Sequence, residues 1–123
     1  MRFAAELENK REIETFIAEV ATLDLAGITR SLAELESLIK DTDSVILLAT
    51  RRLQTFTNRT ASSVALTSLQ RAEMEQTQRV LKDNINYVEQ KKKKIGILTE
   101  KKRELELKNA EQQNSQQHNR LSN

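Results

Sequence analysis

The sequence predicts an all-α protein: an extended coiled-coil helical hairpin or a loose three-helix arrangement, followed by a disordered polar tail. Three observations carry this. Proline and cysteine are absent and glycine occurs twice in 123 residues, so nothing forces a helix to break and little marks the turns of short strands. Charged residues make up 31 % and aromatic residues 3 %, a composition that suits solvated amphipathic helices better than a core of bulky side chains. From Leu81, the apolar positions Leu81, Val88 and Ile95 recur at heptad spacing, with Leu98 and Leu105 between and after them. Such a repeat belongs to a long helix that packs along one narrow seam.

In chain order, residues 4–21 read as a first helix. Leu7, Ile13, Phe16, Ile17 and Val20 share a face, and Glu6, Glu8, Lys10, Arg11 and Glu14 take the other. The pattern weakens over 22–27, where Gly27 suggests a kink or short break. Ser31-Leu32-Ala33-Glu34 matches a capping box, although such a tetrapeptide also sits comfortably inside a continuous helix. Leu25, Ile28, Leu32, Leu35 and Ile39 step by three and four, a coiled-coil stripe. The polar run Asp41-Thr42-Asp43-Ser44 is the best turn candidate.

Residues 45–66 are rich in β-branched side chains but contain no glycine, proline or two-residue hairpin signal. Ile46, Leu47, Ala49, Leu53, Phe56, Thr60 and Val64 follow helical spacing, so the segment reads as a helix weakened around 57–60, with a β-hairpin as the minority reading. Thr67-Ser68-Leu69-Gln70 resembles a second capping box at the head of the long helix. From 110 onward the chain is mostly amide and hydroxyl, with a single leucine, Leu121, and cannot bury a core. The expected organisation is one helical coiled-coil domain, 4–109, with a turn near 41–44, then a disordered tail, 110–123.

Catalysis has little to work with. The single histidine, His118, lies in the polar tail, there is no cysteine, and the two glycines, Gly27 and Gly96, are isolated. Ser–His and Cys–His schemes therefore lack a base and no phosphate-cradling loop can form. The carboxylates stand beside lysines and arginines at helical spacing, as ordinary surface charges do. Zinc chemistry lacks ligands, and the Glu-x-x-His motifs of di-metal bundles are missing. The expectation is a non-enzyme without cofactor or metal.

Lys91, Lys92, Lys93 and Lys94, with Lys101, Lys102 and Arg103, form the one polyanion candidate. Four consecutive lysines point around most of a helix, and Tyr87 alone is no stacking platform, so a solvated face is the favoured reading over nucleic-acid binding. Lys92 and Lys102 fall at or near the heptad seam, where a lysine lowers stability and selects a partner. The net charge of +2 gives no sign of a dedicated polyanion partner. Asn58-Arg59-Thr60 matches a glycosylation sequon, a triplet common by chance.

The order of helix, Thr/Val-rich middle and second long helix resembles the small subunits of prefoldin over residues 41–107. Tyr87-Val88-Glu89 is similar to an aromatic–aliphatic–acidic step in their second helix. The resemblance implies strands in the middle segment and chaperoning of non-native protein; the glycine-bearing hairpin of that family has no counterpart here.

The sequence thus points first to a structural or adaptor coiled-coil subunit that pairs with partner helices in a homo- or hetero-oligomer. Its seam would be Leu25, Ile28, Leu32, Leu35, Ile39, Leu81, Val88, Ile95, Leu98 and Leu105, with Ile95 and Leu98 buried against a partner. A prefoldin-like or secretion-type chaperone comes second and weak nucleic-acid binding third. The longest apolar run, 45–49, is far short of a membrane span. The first residues turn acidic without a signal-peptide core. An intracellular, cytoplasmic location is expected, with nuclear import through the lysines as the alternative.

Overall fold

The computed structural model describes the backbone over residues 2–62 and 65–122 and side chains over 7–62 and 65–114. Within these residues the chain forms three helices and no strand: α1 (Arg2–Val20), α2 (Leu25–Ala61) and α3 (Ser68–Ser122). The chain divides into two units, one built from residues 1–35 and 93–123 and the other from residues 36–92. Helices α2 and α3 each contribute to both.

The break after α1 follows from local hydrogen bonding. Thr22 turns its hydroxyl back to the Glu19 carbonyl at 2.7 Å, and the Leu23 amide bonds the Val20 carbonyl at 3.0 Å. Asp24 then caps α2: its carboxylate accepts the Gly27 amide at 2.8 Å, while its carbonyl accepts the Ile28 amide at 3.0 Å. A Cβ on Gly27 would stand 3.1 Å from that carboxylate oxygen and 3.2 Å from Leu23 Cδ2, so glycine lets the cap close. The break falls at 21–24, so it overlaps the expected 22–27 only in part, and Gly27 lies in the first turn of α2 instead of at the break. The Ser31–Glu34 tetrapeptide lies inside α2 and caps nothing.

The expected turn at 41–44 is corrected by the continuity of α2 through those residues. Thr42 and Ser44 donate their hydroxyls to the carbonyls of Leu38 and Lys40, at 2.8 and 3.4 Å. Polar side chains that favour turns are thereby satisfied within the helix. The same device accommodates the β-branched run: Thr50, Thr55, Thr57 and Thr60 bond the carbonyls four residues back at 2.7–3.2 Å. The β-hairpin reading of 45–66, and with it the strands implied by the prefoldin resemblance, gives way to helix as far as Ala61; Val64 lies outside the described residues.

The connection between α2 and α3 ends in the capping box that the sequence shows. The Thr67 amide donates to Gln70 Oε1 at 2.9 Å, and the Gln70 amide donates to Thr67 Oγ1 at 3.1 Å. At the other end, helical backbone continues to Ser122, past residue 110, where composition points to a disordered tail. Every described side chain from Glu106 to Asn114 is exposed, so this stretch adds no core. His118 falls outside the described side chains.

The first unit holds a three-helix core. Val20 of α1, Ile28 and Leu35 of α2 and Leu98 of α3 are buried together, with Phe16, Leu23, Leu32, Ile95, Ile97 and Leu105 packed against them. Ile28 and Leu98 are completely shielded from solvent, and burial of such a side chain contributes about 1.5–3 kcal/mol. The second unit is a pair of helices, antiparallel because Arg52 stands against Glu73 while Val45 and Val80 line one groove. Ala49, Phe56 and Val88 are its buried apolar residues, with Thr77 buried beside them.

Leu98→Ala should cost about 2–5 kcal/mol and lower the melting temperature sharply, because it opens a cavity in the three-helix core. Gly96 points the other way: a Cβ there would meet nothing within 4 Å, so Gly96→Ala should stabilise the chain by about 0.5–1 kcal/mol. Urea denaturation of the two variants beside the wild type measures both effects.

Candidate helix-docking site

The residues read as a partner seam are brought together largely within the chain. Ile28, Leu35 and Leu98 are in the core of the first unit, and Leu32, Ile95 and Leu105 pack against it. Leu25 is half-buried; in the second unit Val88 is buried and Ile39 and Leu81 are half-buried. Ile95 and Leu98, expected to meet a partner helix, meet the chain's own α1 and α2 instead. The physical reason is that the α2 stripe has the same three-and-four spacing as α3. Helix α2 ends at Ala61 and α3 starts at Ser68, and so short a connection makes that stripe the nearest partner available.

The lysine run is absorbed in part. Lys94 donates to Glu12 Oε1 at 2.8 Å and lies over the Phe16 ring at 5.2 Å, its side chain only 13 % exposed. Lys91 lies over the Tyr87 ring at 4.8 Å. Lys92, Lys93 and Arg103 are exposed, and Lys101 and Lys102 are half-buried. The seam lysine is therefore Lys91 rather than Lys92: from Val88 the three-then-four alternation reaches 91, 95 and 98. Lys94 fastens α1 to α3 through its stem, its charge and a cation–π contact. The run offers no flat cationic face.

Beside its charged groups, the described surface leaves several large apolar side chains exposed. Val45 is 42 % exposed and Leu48 66 %, and both line a groove of about 260 Å³ in the second unit. Its floor is Ala49 and Thr77, and its far wall is Val80. Ala49 and Thr77 are small, which lets the two backbones approach. The Thr77 hydroxyl donates to the Glu73 carbonyl at 2.7 Å, so the buried polar atom is satisfied and its methyl remains for packing. Arg52 rims the groove and pairs with Glu73 at 3.4 Å. With both side chains well exposed that ion pair contributes at most about 1 kcal/mol. It fixes the register of the two helices more than it stabilises them.

The first unit has a groove as well, about 370 Å³, with Ile17, Val20 and Ile97 below and Glu100, Lys101 and Glu104 around it. There Ile17 stays 49 % exposed beside the three-helix core, and the rim carries both signs of charge. The second unit has two helices only, and its groove leaves Val45 and Leu48 exposed beside the seam. Sequence reasoning missed it because Val45 and Leu48 sat in the segment next to the expected turn. The signal was present in the spacing of 41, 45, 48 and 52. Among the described residues no group of acidic or histidine side chains has metal-binding geometry, and no helix is long and apolar enough to cross a membrane.

Lys94→Ala should lower stability in urea by about 1–2 kcal/mol through lost packing and pairing, while Lys93→Ala should change it by less than about 0.5 kcal/mol. Equal effects would show that the run is a solvated face throughout. Searches against protein-family models, curated proteins and solved structures return no match to this chain.

Proposed function

We propose that this protein is a non-enzymatic structural or adaptor subunit that binds an amphipathic helix in the Val45–Leu48–Val80 groove. The observation that carries the reading is the exposure of two large apolar side chains, Val45 and Leu48, beside a two-helix seam. A helix laid there would complete a three-helix layer of the kind the first unit already has. Its apolar face would remove Leu48 from water, and its polar flanks would meet Arg52 and Gln76. The partner surface thus shifts from the heptads around Ile95 and Leu98 to the α2 stripe around Leu48.

Chaperoning of non-native protein is the second reading. An open apolar groove suits it too, but the strand segment implied by the prefoldin resemblance is helix as far as Ala61. Nucleic-acid binding ranks third, since Lys91 and Lys94 are engaged with Tyr87, Phe16 and Glu12.

Site-specific photo-crosslinking in cells tests the proposal. A photoreactive residue replacing Leu48 should give a discrete protein adduct, and the same residue at Gln54, on the opposite face of α2, should give none. Absence of an adduct at Leu48, or equal adducts at both positions, would contradict it.

A further inference from the structure

The groove carries more information than its apolarity. Along α2 the exposed residues Asp41, Val45, Leu48 and Arg52 follow one another at steps of four, three and four, which keeps them on one face of the helix. The order of spacings is the same from either end, and so is the chemistry, with an acid and a base exchanging places: acid, apolar, apolar, base. A stripe with that property is complementary to itself when reversed. Helix α3 adds to it. Arg52 stands level with Glu73, so Val45 stands level with Val80, and Asp83, three residues beyond Val80, brings a second exposed carboxylate to the Asp41 end.

Resting on the helix-docking reading above, we infer that the occupant of the groove is a second copy of this chain. Its α2 lies antiparallel across a two-fold axis that passes between Ile46 and Leu47. Reversal about that point places Val45 against Leu48 of the second copy and Leu48 against its Val45. It also places Asp41 against Arg52 of the second copy, and the reciprocal pair follows from symmetry. The Arg52 guanidinium has five donors, enough to keep Glu73 of its own chain while accepting a carboxylate from the other. A parallel arrangement would oppose Asp41 to Asp41 and Arg52 to Arg52, so charge selects the antiparallel one. The interface is isologous and closed. It covers the exposed Leu48 on both chains and leaves no unpaired copy of the stripe.

Sedimentation of the full chain tests this. The wild type should be a dimer, and Leu48→Glu should be a monomer with the helical circular dichroism of the wild type and a melting temperature that does not rise with protein concentration, because Leu48 is not part of the chain's own core. Asp41→Arg and Arg52→Asp should each weaken self-association by about tenfold or more, since each puts like charges opposite one another twice. An equimolar mixture of those two variants should recover a heterodimer, as both cross-pairs are then opposite in charge. Placing both substitutions in one chain should recover the homodimer. A monomeric wild type, single variants that dimerise as the wild type does, or failure of both the mixture and the double variant to pair would overturn the inference. If the wild type is monomeric while the Leu48 crosslinker captures a different polypeptide, self-pairing falls and helix docking stands. If no adduct forms, both fall.

Discussion

The closure of the heptad seam by the chain itself is the constraint on which the structure depends. A helix as polar as α3 offers one narrow apolar line, and a single line cannot hold a long helix in water. Leu98 solves this by meeting Ile28 and Leu35 of α2 and Val20 of α1, so that Leu98 and Ile28 are wholly shielded. Everything else in the first unit serves that contact. The Asp24 cap starts α2 next to Ile28, the Lys94–Glu12 pair holds α1 against α3, and Leu23 closes the break between α1 and α2.

The two units solve the same packing problem with different numbers of helices. With three, large side chains are buried together. With two, the seam buries Phe56 and Val88 but narrows to the small residues Ala49 and Thr77 at the groove, where the flanking Val45 and Leu48 stay in contact with water. The proposed helix docking places another helix on the second unit, where Arg52 and Asp41 would give it a preferred direction. The proposed function draws on that unfinished layer of packing.

Much of the fold was legible in the sequence, for reasons that can be named. Helical class followed from absent proline and from periodicity, and the Thr67–Gln70 box announced the start of α3 with the reciprocal bonds it forms. Asp41-Thr42-Asp43-Ser44 misled because turn propensity and helix tolerance share a cause: a short hydroxyl can bond either to a turn amide or to the carbonyl four residues back, and here it does the latter. The Asp24 cap was missed because the later Ser31–Glu34 pattern was more conspicuous. The seam residues were identified, but whether they face the chain or a partner depends on where α2 folds back, which periodicity does not encode. The groove went unseen for the same reason: it exists only once Val80 has been placed beside Val45.

Hydrogen exchange on the Leu48→Glu variant at high dilution is the most direct test of seam closure within one chain. The account predicts that the amides around Ile28 and Leu98 remain strongly protected and that their protection does not change with protein concentration. Protection that appears only as the chains are concentrated would contradict it, because the seam would then be closing between molecules.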